Sequence, residues 1–379
     1  MLSERRVAII GAGVIGASIA DALACRGVRV TMFDMRAPGA GASQASAGVL
    51  APFIEAKPGS PLLALGVRSL AMWDGFMAGV RQRAPGSEVE YARTGTLDVA
   101  LSAGERAHLK TAAVWLASEG VAHEWLEGQA LTTRAPAVSS AAAGALCIPD
   151  HRIVNVTALV RALVHAARLS GVVCVTPTEI LQVDQAKDTV EVRIGDERHL
   201  FDDVVIAAGS WTRRVRVSGA PVFPVRPIRG QLLHLRWSDG PRPAHSIWGS
   251  RCYTVPWSDG SVLVGATVED VGFDERSTVA GVRELLDAVS DLLPSAAHAS
   301  LEAVRVGLRP ATLDHLPLLG PLTSHPRVVL AAGHYRNGIL LAPLTADIVS
   351  RLMLEGERDP ALEVTKPERF EAGPRYSAI

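Results

Sequence analysis

The 379-residue chain has only four cysteines, Cys25, Cys147, Cys174 and Cys252, and no CxxC pair among them. That excludes a disulfide-stapled scaffold and a CxxC redox or zinc site. Cys25 and Cys174 lie in apolar stretches and are expected to be buried thiols. No His, Cys and carboxylate cluster has ligand spacing, so no metal is expected. Charge of one sign is also missing: 38 Lys and Arg face 39 Asp and Glu, a net charge of −1. Without a basic field, nucleic acid and anionic membrane are not expected partners. No apolar run approaches the roughly 20 residues of a membrane-spanning helix. There is no internal repeat. What remains is 48% hydrophobic residues and a length suited to about two domains.

The start of the chain is the most informative stretch. Residues 7–10 (VAII) read as a buried strand, Gly11, Gly13 and Gly16 as a glycine-rich turn into a helix, and residues 28–33 as a second strand ending at Asp34. This is a dinucleotide-binding fingerprint with its acidic residue at the right distance. Gly11 permits the tight turn, Gly13 lets a pyrophosphate approach the backbone, and Gly16 lets the helix pack closely. The helix start offers free N–H groups to phosphates, and Asp34 a carboxylate to a ribose diol. Arg5, Arg6 and the apolar run after them imitate a secretory leader, but a leader needs neither the glycines nor Asp34. A cytoplasmic protein is therefore expected.

Residues 39–48 (GAGASQASAG) are almost all small. They follow the acid-bearing strand, so they are read as backbone passing close to a large flat ligand rather than as a linker, with Ser43 and Ser46 as hydrogen-bond donors. Helices are expected over residues 14–26, 62–80, 103–118, 155–170, 279–293 and 341–354, and residues 132–142 are expected to be irregular. Residues 96–101, 143–148, 172–175, 179–183 and 189–193 read as strands. Residues 204–209 and 328–333 are apolar strands that stop at glycine, as parallel strands do beside a ligand. Residues 231–236, 252–256 and 261–265 alternate like an antiparallel sheet, with a hairpin turn at 258–260.

The chain resembles the glycine oxidases of thiamine biosynthesis, within the D-amino-acid oxidase superfamily of FAD-dependent amine oxidoreductases. The matching motifs are GAGVIG at 11–16, ASAGVLAP at 45–52, VVIAAGSW at 204–211, GQLLHL at 230–235, CYTVP at 252–256, GATVED at 265–270, GLRPAT at 307–312 and AAGHYRNGILLAP at 331–343. The resemblance implies an α/β fold: a Rossmann-like FAD-binding domain interleaved with an α+β substrate domain on a mixed, largely antiparallel sheet. The FAD domain would comprise 1–50, 150–220 and 305–379, and the substrate domain 51–149 and 221–304. Gly11, Gly13, Val14, Ile15, Gly16 and Asp34 would hold the adenosine half and pyrophosphate of FAD. Ser43, Ala47, Gly48 and Val49 would pass along the pyrophosphate and flavin, with Met35, Ala42, Ile180 and Gly209 completing that wall. His334, Tyr335, Arg336, Asn337, Gly338, Ile339 and Leu340 would border the isoalloxazine.

Arg309 matches the family's carboxylate-binding arginine, and its guanidinium fork suits both oxygens of an amino acid. Tyr253 matches the tyrosine that helps hold that carboxylate, and Arg336 is a further candidate on the substrate or flavin side. The resemblance implies hydride loss from the substrate to flavin N5, which requires no strong base, so His334 is read as a backbone contact. The imine would hydrolyse to glyoxylate and ammonia, with O₂ reduced to H₂O₂. Two departures stand out: Arg251 and Trp248 replace a His and a Tyr of related enzymes and would lie near the pocket mouth, where an extra cation bears on glycine preference. GLRPAT and its neighbours contain no cysteine, so FAD is expected to be non-covalent. The family also implies a small amino-acid substrate, O₂ as acceptor and a homo-oligomer.

Other readings stay open on residues alone. They are a D-amino-acid dehydrogenase feeding quinones, the amine-oxidising subunit of a multi-protein flavoenzyme, a tRNA-modifying flavoprotein domain and an NAD-dependent dehydrogenase. The charge balance disfavours the third, and the GHYRNG strip has no evident use in the fourth. Arg36 suggests a phosphate-bearing nucleotide, but Asp34 beside it repels a 2′-phosphate.

Overall fold

The computed structural model describes residues 5–370; residues 1–4 and 371–379, the outer ends of the expected cofactor domain, lie outside them. Two large sheets organise the chain. The first has six strands, in the order Leu318–Leu322, His325–Ala332, Asp203–Ile206, Arg6–Ile10, Arg29–Phe33, Val173–Val175. All neighbours are parallel except the first pair. Its central strands are apolar on both faces: helices cover one face, and a smaller sheet carrying Val183, Val190, Val192 and Phe201 covers the other. The helix Val14–Ala24 packs on it with Leu159, Leu163 and Ala166 of the helix Val156–Leu169 fully buried nearby. Asn155 caps that second helix by accepting the Ala158 N–H at 3.0 Å.

The second sheet has eight strands. At one edge the strand Ser300–Ala311 pairs antiparallel with Arg226–Arg236, and Ser261–Gly265 and Tyr253–Pro256 follow inward. One neighbouring pair, Ser246–Trp248 with Thr96–Ala100, is parallel. Ser300–Ala311 crosses residue 305, so a boundary drawn there cuts through one strand. Two smaller sheets, of four and three strands, complete the set.

Several local expectations need correction. Cys25 is exposed, because it is the C-cap of the first helix, beyond its last buried turn. Cys174 is half-buried on the outermost strand of the six-stranded sheet, and all four cysteines are free thiols. Residues 179–181 are not a strand: pairing begins at Gln182, and the preceding residues turn toward the central cleft. The helix Gly128–Arg134 overlaps the segment expected to be irregular.

The segment that leads into the last long helix, Ala342–Glu355, is anchored by the helix Pro61–Arg83, whose Leu65, Leu70, Trp73, Met77 and Val80 lie in the same apolar core as the six-stranded sheet. The Ser69 hydroxyl donates to the Leu340 carbonyl at 2.6 Å and the Trp73 indole N–H donates to the same oxygen at 3.0 Å. Ser69, Trp73 and Leu340 are all buried. A buried carbonyl keeps one partner if either donor is removed, and none if both are. Trp73→Phe and Ser69→Ala should each cost about 1 kcal/mol, and the double variant about 1–2 kcal/mol more than their sum. Urea denaturation of the four proteins reads this; simple additivity would contradict the shared-carbonyl account.

Candidate functional site

A cleft of about 1540 Å³, counted with its open mouth, runs from the C-terminal ends of the parallel strands to the inner face of the eight-stranded sheet. The first turn of the chain builds one end. Gly11 has φ +111°, and a Cβ there would lie 2.3 Å from the Ala207 carbonyl oxygen. Gly13 caps the first helix without a side-chain bond, which leaves the N–H groups of Ile15 and Gly16 free of helical partners. Val14 N–H donates to Ser43 Oγ at 3.1 Å, tying the small-residue loop to the helix start. The loop is ordered as a short 3₁₀ turn, Ala42–Ala45. Asp34 accepts the N–H groups of Ala12 and Arg36 at 2.7 and 2.8 Å. Burial raises its pKa, with those two N–H groups pulling the other way.

Of the residues expected to hold a cofactor, Gly11, Gly13, Val14, Ile15, Asp34 and Met35 line the cleft. So do Ala42, Ser43, Ala47, Ile180, Gly209 and, further along, His334, Tyr335, Arg336, Gly338 and Ile339. Gly16, Gly48, Val49, Asn337 and Leu340 stand behind that wall. A Cβ on Gly16 would meet the Gly11 carbonyl oxygen at 1.9 Å, and one on Gly48 the Val154 carbonyl oxygen at 1.8 Å. Val49 pairs with Ile153 in the small three-stranded sheet. Asn337 N–H donates to the His334 carbonyl at 2.9 Å, closing a short turn.

The far end of the cleft carries Tyr253 and Arg309, as expected. Arg309 comes from the edge strand, and its guanidinium lies over Gly230 of the next strand: a Cβ there would stand 2.3–2.4 Å from its Nη1, Cζ and Nη2. Arg309 Nη1 donates to the Thr267 carbonyl at 2.9 Å. Among the described residues it has no carboxylate partner. Tyr253 stacks on Trp248 with ring centroids 4.8 Å apart, above Gly265, where a Cβ would be 2.6 Å from the hydroxyl oxygen. Burial raises the Tyr253 pKa, against the pull of Arg309 and Arg336, so the phenol is protonated at neutral pH.

Arg336 differs from Arg309. Glu55 holds it through Nη2 at 3.0 Å and Nε at 2.9 Å. Burial works against its charge, and Glu55, with Tyr253 and Tyr335, more than offsets it. Glu55 lines the cleft and went unnoticed in the sequence, where no motif reaches it. Its only signal is a place three residues after ASAGVLAP. Arg36, Trp211 and Arg214 also line the cleft. Arg36 is paired with Glu275 at 2.9 and 2.6 Å and stands 4.5 Å from the Trp211 ring. Arg214 lies 4.2 Å from the Phe273 ring.

Arg251 and Trp248 do not line the cleft. Arg251 is exposed and pairs with Asp291 at 2.7 Å, so its charge is spent at the surface; Trp248 is buried behind Tyr253. Tyr335, with φ +50°, stacks on His315, with φ +60°, at 4.6 Å. Both are non-glycine residues in the left-handed region, a strained arrangement at the cleft edge. Among the described residues no group of three or more His, Cys, Asp and Glu is placed to hold a metal, and no helix is long and apolar enough to cross a membrane.

His334 is fully buried, with Nε2 3.0 Å from the Thr345 hydroxyl. Burial drives its pKa down to about 3, which makes it neutral at working pH. That value lies below the ~6.5 of an unfolded imidazole. Its contribution to stability is therefore complete above pH ~6.5 and is lost as pH falls toward 3. Between pH 6.5 and 5 the loss is about 2 kcal/mol. His334→Gln should remove that loss; urea midpoints at pH 7 and 5 test it, and an unchanged acid slope would contradict the assignment.

The comparisons agree with this geometry. A glycine oxidase of Geobacillus kaustophilus (strain HTA426) is 34% identical over 351 residues, which cover 92% of this chain and 92% of that protein. A bifunctional protein ThiO/ThiG of Nostoc sp. (strain PCC 7120) is 34% identical over 94% of this chain, which spans only 54% of that longer protein. The crystal structure of glycine oxidase from Geobacillus kaustophilus superposes with a TM-score of 0.90 at 32% identity, covering 96% of this chain and 99% of that one. The family described as FAD dependent oxidoreductase matches residues 6–352. The cleft fits that cofactor, with an uncapped helix start, an acid beyond it and Gly209 at φ +52° with open space where a Cβ would be. The chain belongs to the FAD dependent oxidoreductase family and is an FAD-dependent enzyme.

Proposed function

We propose that the protein oxidises glycine or another small amino acid at its Cα–N bond, to an imine that water converts to glyoxylate and ammonia when the substrate is glycine. When bound, FAD supplies the two-electron acceptor, held without a covalent link, and O₂ takes the electrons on to H₂O₂. The observation that carries the reading is Arg309. It faces the cleft beside Tyr253, and no described carboxylate answers its charge. A substrate carboxylate would answer it, with the protonated Tyr253 hydroxyl donating a further bond.

The remaining groups orient the substrate rather than take its protons. His334 is neutral and turned to Thr345. Arg336 and Glu55 neutralise each other along the wall, which leaves Arg309 as the anchor. Leu308, Ala266 and Ile339 give the same end of the cleft an apolar lining that limits water. Fixing the carboxylate fixes the direction of the Cα–H bond, and position supplies much of the rate. The likeness to relatives named glycine oxidase and ThiO/ThiG favours glycine and a role in making the thiazole of thiamine; a cytoplasmic homo-oligomer is part of the same proposal.

A visible spectrum of the purified protein, followed by anaerobic addition of glycine, sarcosine, D-alanine or D-proline, tests the reading. Bleaching by glycine or sarcosine, with prompt H₂O₂ on readmission of air, is expected. A colourless protein would end it, and bleaching with dye reduction but slow H₂O₂ would point to a dehydrogenase. Arg309→Ala removes the anchor, worth about 2–3 kcal/mol, and should raise KM roughly 30- to 150-fold while FAD stays bound. Loss of FAD with KM unchanged would contradict the carboxylate assignment.

A further inference from the structure

A second cavity, of about 740 Å³ counted with its open mouth, lies on the other side of the small-residue loop, and Ser46 lines both spaces. Its floor is the face of the eight-stranded sheet that carries His234, Trp257 and Leu263. Its opposite wall is the start of the helix Val156–Leu169, with Arg161 one turn in. Arg305 enters from the edge strand, opposite Leu232.

Arg305 is anomalous. Outside the substrate end of the first cleft the fold answers a buried guanidinium with acids: Arg229, with its side chain 4% exposed, has Glu269 at 2.5 Å and Asp274 at 3.0 Å. Arg305 is half-buried, yet among the described residues its guanidinium makes no ion pair or hydrogen bond. It is also the one described arginine whose pKa is pushed down, by burial alone. Arg161 has no partner among the described residues either. A desolvated cation without a counter-charge is costly, and an anion relieves the cost.

The two carboxylates at the cavity, Glu90 and Asp259, turn their oxygens to serines rather than to either arginine. Glu90 accepts the N–H and hydroxyl of Ser258 at 3.0 and 2.9 Å. Asp259 accepts the N–H and hydroxyl of Ser261 at 2.9 and 2.6 Å. His234 is kept neutral by burial and by Arg305, against the opposing pull of Glu302 and Asp259. Asn155 caps only Ala158, so the N–H groups of Val156 and Thr157 add their partial positive charge to the same wall.

We propose that this cavity is a binding site for a small phosphate-bearing anion, held between Arg305 and Arg161. It is separate from the substrate-carboxylate site and backs onto the loop that lines the FAD cleft. Two guanidinium forks and a helix start suit a tetrahedral dianion better than a single planar carboxylate.

The test is calorimetric titration of the FAD-loaded protein with inorganic phosphate at fixed ionic strength. Saturable one-site binding is expected. Arg305→Gln, and separately Arg161→Gln at the exposed side where folding is not at stake, should each weaken it at least about tenfold. Arg216→Gln, an exposed arginine elsewhere, should leave it unchanged. Absence of saturable binding, or wild-type affinity in either cavity variant, would overturn the proposal. So would tighter binding of malonate than of phosphate, or loss of phosphate binding in Arg309→Met, which would put the anion in the substrate cleft.

Discussion

A guanidinium half-buried at the inner end of a twelve-residue strand costs free energy unless its charge is answered, and the surroundings of Arg309 answer it only with carbonyl groups. Its place depends on features far apart in the chain. Gly230 gives it room across the strand pair, Thr267 takes one of its N–H groups, and Tyr253 stands beside it because Gly265 leaves space under the phenol. The antiparallel register of Arg226–Arg236 against Ser300–Ala311 brings these parts together. A shift of one residue would turn Arg309 to the opposite face of the sheet.

Segments far apart in sequence meet across the same cleft. Glu55, at the end of the short helix Pro52–Glu55, reaches Arg336 beside the last apolar strand, and Glu275 reaches Arg36 just past the acid-bearing strand. Phe273 packs on Trp211 at 5.7 Å. These contacts give Arg36 and Arg336 acids of their own, while Arg214 lies over the Phe273 ring; the proposed selectivity for a carboxylate rests on Arg309. The same contrast, between arginines that are answered and arginines that are not, marks out Arg305 in the second cavity.

Much of the FAD-binding half was legible because its chemistry is local. Gly11, Gly13, Gly16 and Asp34 sit within one strand–helix–strand unit, and their spacing carries the geometry. Arg309 and Tyr253 were legible through motifs. Glu55 was not, because its role exists only when the short helix Pro52–Glu55 meets the turn that follows the strand His325–Ala332. The edge strand Ser300–Ala311 was hidden too: Glu302 and Arg305 interrupt its apolar alternation, and Gly307 and Pro310 read as breakers. Both are tolerated there, since the strand lies at a sheet edge and a Cβ at Gly307 would come 2.7 Å from Ala45. Arg251 misled for the opposite reason. Its sequence neighbour Tyr253 is at the cleft, but its own side chain turns out to Asp291.

The central claim is that Arg309 anchors a substrate carboxylate beside bound FAD. A crystal structure of the FAD-loaded protein with glycolate, an unreactive analogue of glycine, tests it most directly. The account predicts both carboxylate oxygens within hydrogen-bond distance of the Arg309 guanidinium, with the Tyr253 hydroxyl on one of them. A glycolate carboxylate held by Arg336 instead, with Arg309 untouched, would contradict it.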